Sequence, residues 1–239
     1  MTMKRLKEEH LLNFDPITQS QRDAYDAWDD GSHMVLAGSA GTGKTFIGMY
    51  LGLETILDKD NPQKKLVIVR SVVPTRDMGY LPGGIDEKID TYTAPYRGIA
   101  AELFDQHNAY ELLETQGTIE FLSTSFIRGT TLDNAVVLID EMQNLTFHEL
   151  DSIITRVGRN SRIIFSGDYY QTDLSKETDK TGILKFLNIM EVMNNFVTVE
   201  FGWADIVRSD FVRDYIMTKD IRKKRRILET GYRKSWIGI

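Results

Sequence analysis

Short apolar runs rich in β-branched residues recur at residues 33–37, 66–70, 119–122, 135–139, 162–166 and 196–201. Each is short and bounded by longer helical stretches, so they predict buried strands. Between them, apolar positions recur at helical spacing over residues 44–57, a stretch from 86 to 113, residues 147–157 and residues 182–193. Strand, crossover helix, strand is the pattern of a mostly parallel sheet with helices on both faces, an α/β domain. Residues 72–84 break the alternation. Pro74, Gly79, Pro82, Gly83 and Gly84 predict a long surface loop at a strand end, where loops often carry function. No internal repeat, low-complexity segment or Gly/Ser linker divides the chain, and a second domain of comparable size does not fit. The domain is expected to span residues 1–212, with residues 1–12 disordered and a basic helical tail over 213–239.

Composition narrows the classes. The 239 residues, 41% hydrophobic and 27% charged, suit a globular chain able to bury a sizeable core. No apolar run approaches the roughly 20 residues of a membrane helix, and the polar N-terminus has no secretion-signal stretch, so a cytoplasmic protein is expected. The chain has no cysteine, and His10, His33, His107 and His148 are scattered without ligand spacing. Any metal must therefore be held by oxygen. The net charge of −6 argues against uniform coating of nucleic acid, but Arg222, Lys223, Lys224, Arg225 and Arg226 sit together, followed by Arg233 and Lys234. That run reads equally as a solvated helix face and as a phosphate-contacting tail.

The first chemical signal lies between the first strand and the first long helix. Gly38-Ser39-Ala40-Gly41-Thr42-Gly43-Lys44-Thr45 fits GxxxxGK[ST] without a mismatch, in the strand-to-helix context that the mechanism needs. The glycines let successive N–H groups point inward, and the helix N-terminus adds its positive end, so phosphate oxygens meet backbone donors. Lys44 would reach the β- and γ-phosphates of ATP, and the Thr45 hydroxyl is a hard ligand for Mg²⁺.

Cleavage needs metal held opposite that loop and a base for water. Val136-Val137-Leu138-Ile139 runs into Asp140-Glu141. Asp140 emerges at the carboxyl end of a buried strand, where ligands bind in open α/β sheets, and suits Mg²⁺ through its water shell. Glu141 is placed to accept a proton from the attacking water. A third strand end, residues 163–166, runs into Gly167-Asp168-Tyr169-Tyr170-Gln171. Gln171 can donate and accept, as a sensor of γ-phosphate and water must, whereas Asp168 alone could simply cap a turn.

These residues together resemble the PhoH-like proteins, ATPases related to superfamily 1 helicases, and in particular their short bacteriophage-encoded forms. The resemblance covers residues 17–212. It includes the phosphate loop, Arg70, Gly79-Tyr80-Leu81-Pro82-Gly83, Pro95-Tyr96, Phe126-Ile127-Arg128-Gly129-Thr130-Thr131-Leu132, Asp140-Glu141-Met142-Gln143-Asn144, Thr155-Arg156-Val157-Gly158 and residues 167–173. It implies a RecA-like P-loop NTPase domain. Gln21 is similar to the helicase glutamine that reads the adenine edge, where an amide satisfies a donor and an acceptor at once. Arg208, in Ala204-Asp205-Ile206-Val207-Arg208-Ser209, looks like the family's arginine finger. Arg128 is a second candidate for phosphate or nucleic-acid contact, or equally a structural ion-pair residue. Thr130 stands where the family commonly has arginine, and Met142 replaces its usual alanine. Nuclease activity, found with an added domain in larger relatives, is not inferred.

Three functions compete. A nucleic-acid-stimulated ATPase acting on single-stranded RNA or DNA leads. A nucleotide-gated oligomeric scaffold without unwinding is the alternative, kept open by few base-stacking motifs. A small-molecule kinase is disfavoured by Asp140, Glu141 and Gln171, which suit water. With one lobe, some other surface must complete the site, and the resemblance implies a head-to-tail hexameric ring with Arg208 reaching a neighbour's ATP.

Overall fold

The computed structural model describes residues 5–72, 85–127, 129–168 and 177–229, the side chains of 85–89, 177–181 and 223–229 excepted. Most of the loop expected at 72–84, together with Arg128 and Gln171, lies outside these residues.

Among the described residues six strands form one sheet: β1 (His33–Gly38), β2 (Lys65–Arg70), β3 (Ile119–Ser123), β4 (Ala135–Ile139), β5 (Arg162–Gly167) and β6 (Phe196–Phe201). Their order is β3-β2-β4-β5-β1-β6, and every pairing is parallel. All carboxyl ends therefore lie along one edge. Successive side chains on the central strands alternate between two cores, which is why these runs are apolar at every position. Met34, Leu36, Leu66, Ile68, Val136, Leu138 and Ile164 face one cluster. Val35, Ala37, Val67, Val69, Val137, Ile139, Ile163 and Phe165 face the other.

Helices α1 (Gln19–Asp29), α2 (Lys44–Leu57), α3 (Ile85–Phe104) and α4 (Ala109–Thr115) supply the first cluster. Helices α5 (Phe147–Ile154) and α6 (Glu177–Glu191) cover the other face, and α7 (Asp210–Glu229) follows β6. Among the described residues no helix is long and apolar enough to cross a membrane.

Local chemistry explains the departures from the sequence pattern. The single helical stretch expected over 86–113 splits because Asp105 turns left-handed at φ 46°. Gln106 N–H then closes onto Ala101 O at 3.1 Å, a helix-ending arrangement. The helix expected over 147–157 stops at Ile154, since the backbone beyond it pairs with Leu132: Leu132 N donates to Arg156 O and Gly158 N to Leu132 O. Residues 5–12, read as disordered, instead pack on the domain, with Leu6 buried and Leu12 N–H bonded to Leu103 O at 2.9 Å. Helix α1, capped by the Thr18 hydroxyl, was not in the periodic pattern. It is pinned to the sheet by Arg162, whose guanidinium lies 3.3 Å from the Trp28 ring centroid and donates to Trp28 O and Ser32 O.

One packing detail positions the site. Gly48 and Gly52 share a face of α2 with Thr45, and a methyl on either would come within 2.8 Å of Leu138 or Leu66. The helix is thus seated close on β4 and β2. At the end of β1, Gly38 at φ 133° passes under Phe201 of β6, so near that a side-chain carbon would lie 2.0 Å from the Phe201 carbonyl oxygen.

Gly38→Ala is expected to cost about 3 kcal/mol or more in urea unfolding, since strain and a backbone clash coincide. Gly98→Ala, in α3 with open space around it, should instead stabilise by about 0.5–1 kcal/mol. Equal effects from the two variants would contradict this packing.

Candidate functional site

Beyond Gly38 the chain curls with Gly41 at φ 77° and Gly43 at φ 84°, then enters α2 at Lys44. Such a curl turns backbone N–H groups toward one point and places a helix N-terminus behind it. Lys44 Nζ lies inside the curl, donating to Gly38 O at 2.9 Å, Ser39 O at 2.6 Å and Thr42 Oγ1 at 3.2 Å. Burial lowers its pKa, while Asp168, Glu141 and Asp140 act in the opposite direction.

Across from the loop, β4 ends in Asp140, which is buried. Thr45 Oγ1 donates to Asp140 Oδ1 at 2.8 Å, and Tyr96 OH donates to Asp140 Oδ2 at 2.9 Å. Burial, and next the Asp140 charge, raise the Tyr96 pKa far above the ordinary phenol value, so this hydroxyl stays a neutral donor. Arg70, at the end of β2, lies against Tyr96 and Asp140. Burial works against its charge, but the hydrogen bond with Tyr96 and the charges of Asp140 and Glu141 outweigh it and raise its pKa.

Glu141 sits in the left-handed region at φ 53°, an uncommon conformation for a residue with a side chain and a mark of functional strand ends. Its pKa is raised, first by burial and then by Asp140, with Arg70, Gln143 and Lys44 partly offsetting. Gln143 bridges two strand ends: its amide nitrogen donates to Glu141, and its amide oxygen accepts from Asp168 N at 3.0 Å. Gly167 leaves room for that bridge, since a side chain there would meet Gln143 Oε1 at 2.3 Å.

Segments before β1 and after β6 both reach the loop. Gln21 is buried, its oxygen accepting from Ile17 N at 2.9 Å and its nitrogen donating to Thr42 O at 3.3 Å. Val207 N donates to Gly41 O at 3.0 Å, and the Arg208 stem lies over Gly41. Arg208 therefore stands over the loop at residues 38–45 of its own chain. Helix α7 then crosses the loop: Ile216 approaches Gly41, and the Asp220 carboxylate accepts from Ser39 Oγ at 3.4 Å and Trp203 Nε1 at 3.1 Å.

The structure thus gathers Gln21, residues 38–45, Asp140, Glu141 and Arg208 on one edge. Arg70, Tyr96 and Gln143, which the sequence motifs contain without a role, join them, as does Asp220, which lies outside every motif. A polar residue at a strand end was the available signal for Arg70; Asp220 offered none. Among the described residues no group of three or more His, Cys, Asp or Glu could hold a metal unaided. The Thr45–Asp140 oxygen pair does suit Mg²⁺, which takes few protein oxygens and completes its shell with phosphate and water.

Because Glu141 has a raised pKa in the fold, its ionisation favours unfolding once the pH exceeds about 4.5, its unfolded value. In metal-free protein at pH 7, Glu141→Gln should raise the thermal midpoint by about 2–4 °C, and the gain should shrink as the pH falls toward that value. A gain independent of pH would reject this origin. Asp220→Asn is expected to tighten nucleotide binding severalfold by removing a negative charge beside the loop, most at low salt. Unchanged titration curves at low ionic strength would show that the carboxylate does not feel bound phosphate.

The profile of the family described as PhoH-like protein matches residues 13–219. A PhoH-like protein of Bacillus subtilis is 30% identical over 204 residues, covering 85% of this chain and 63% of its own. Protein PhoH2 of the same organism is 36% identical over 179 residues, covering 72% and 40%. Protein PhoH of Escherichia coli is 34% identical over 174 residues, covering 72% and 48%. The chain therefore spans roughly half the length of these relatives. Among solved structures, the large terminase of a thermophilic bacteriophage in complex with ADP aligns at TM-score 0.48 and 14% identity, over 84% of this chain and 49% of that one. Pif1 helicase from Candida albicans aligns at 0.44 and 16%, over 88% and 44%. On the extent of the family match and of its relatives' identity, this chain belongs to the PhoH-like protein family.

Proposed function

We propose that this edge binds ATP with Mg²⁺ and hydrolyses it, and that turnover is coupled to single-stranded RNA or DNA. The observation that carries the reading is the meeting of Thr45 and Asp140 at 2.8 Å beside the Lys44 ammonium, with Glu141 the next residue along. Loop N–H groups and Lys44 bind the β- and γ-phosphates. Thr45 and Asp140 would hold Mg²⁺, which when bound supplies charge neutralisation at the phosphoryl group. Tyr96 and Arg70 fix the Asp140 carboxylate so that one oxygen faces Thr45.

Glu141 accepts a proton from the attacking water. Its raised pKa brings it nearer the range in which a carboxylate serves as a base. Gln143 orients it from the side. Gln171 is assigned the sensing of water and γ-phosphate, and Gln21 the adenine edge, where its amide would trade the Ile17 N–H for the base. Arg208 neutralises charge on the transferring group, from its place over Gly41 or on a neighbouring copy. Exposed Phe211, Val212 and Tyr215, close to Arg208 in sequence, support a homo-oligomer in which a second copy covers them, a hexameric ring by family resemblance.

Lys44→Ala should weaken ATP binding by more than tenfold, whereas Glu141→Gln should still bind ATP and lose about 10²–10⁴ of turnover. Equilibrium binding and phosphate release, each with and without single-stranded RNA, measure both. Retained affinity in Lys44→Ala would reject the nucleotide site; wild-type turnover indifferent to RNA and DNA would reject the coupling.

A further inference from the structure

The loop between β3 and β4 contains a second feature on the same edge. Thr124, Ser125, Glu149 and Ser152 line an open cavity of about 310 Å³. It is walled by hydroxyls, and Thr124 Oγ1 donates to Glu149 Oε1 at 2.9 Å. Glu149 is held in turn by Thr146, whose backbone N–H and hydroxyl both donate to Glu149 Oε2. The next residue after Ser125 is Phe126, 60% exposed.

Phe126 is held out on a braced loop. Phe126 N–H closes a turn onto Ser123 O at 3.0 Å, Thr124 N–H bonds Arg70 O at 3.3 Å, and Ile127 is buried in the core. A ring kept in water between two such anchors is a preformed surface, with little ordering left to lose on binding. An aromatic face suits a flat π-system, and the hydroxyls and carboxylate of the cavity that the two preceding residues help to line suit the donors and acceptors of a base edge. With Glu149 among its walls, the cavity suits a base better than a phosphate.

We infer that Phe126 and the cavity formed by Thr124, Ser125, Glu149 and Ser152 bind a nucleobase of a single-stranded nucleic acid, with Phe126 as the stacking platform. The inference rests on the proposed coupling to single strands and adds where a base is read. The cavity is tied to the phosphate site on two sides. Thr124 bonds the backbone of Arg70, whose guanidinium lies beside Asp140, and Glu149 stands in the first turn of α5, shortly after the Glu141–Gln143 bridge.

The test is fluorescence anisotropy of labelled single-stranded RNA and DNA oligonucleotides on the full chain. Wild type is compared with Phe126→Ala, Phe126→Leu and Phe126→Tyr, and thermal melting checks that each is folded. Alanine and leucine should weaken binding by about tenfold, and tyrosine, which keeps a ring, should restore it. Ser152→Ala should cost less, and a larger loss with RNA than with DNA would place a ribose hydroxyl there. If wild type binds and Phe126→Ala binds equally well, or leucine serves as well as tyrosine, the stacking site is wrong while the coupling stands. If wild type binds neither strand, the coupling falls and this site falls with it.

Discussion

Thr45 opens a helix and Asp140 closes a strand 95 residues later, and the candidate site depends on their meeting at 2.8 Å. That contact requires α2 to lie low on the sheet. Gly48 and Gly52, on the face shared with Thr45, permit it, because a side chain at either would press on Leu138 or Leu66. Larger residues would lift the helix and with it the hydroxyl. The pairing of β4 with β2 and β5 fixes the other partner in depth, so that Asp140 emerges at the height of the loop rather than above or below it.

Around this contact the charges are arranged so that none is left without an offset. Three carboxylates, Asp140, Glu141 and Asp168, act on Lys44, and Arg70 adds a second cation from the neighbouring strand end. Buried ions without partners would cost several kcal/mol each. Tyr96 contributes a neutral donor to Asp140, and Gln143 ties the Glu141 carboxylate to the backbone of Asp168. The result is a rigid polar cluster at the mouth of three parallel strands, with a surplus of oxygen that suits a divalent cation.

The loop at residues 38–45 is also gripped by segments before β1 and after β6. Gln21 fastens Thr42 to the segment preceding α1, while Val207, Arg208 and α7 lie along Gly41 and Ser39. An event that moved α7 would alter what the loop presents, and an anion entering the loop would act on Asp220. The basic run that begins at Arg222 continues the same helix in sequence.

The central strands were legible because each is apolar on both faces, a pattern that burial between two helical layers explains, and the loop at residues 38–45 because its motif is contiguous. Asp140 and Glu141 were legible as the end of such a strand. The strand order, the close seating of α2, the Tyr96–Asp140 bond, the Gln143 bridge and the Asp220 contact were decided by the tertiary structure. Each pairs residues far apart in the chain, and no periodicity or local spacing encodes which distant surfaces meet. Where the local pattern failed, as at Asp105 and after Ile154, a left-handed residue or a pairing with Leu132 outweighed helical propensity, since backbone groups take the partners that the packed chain offers.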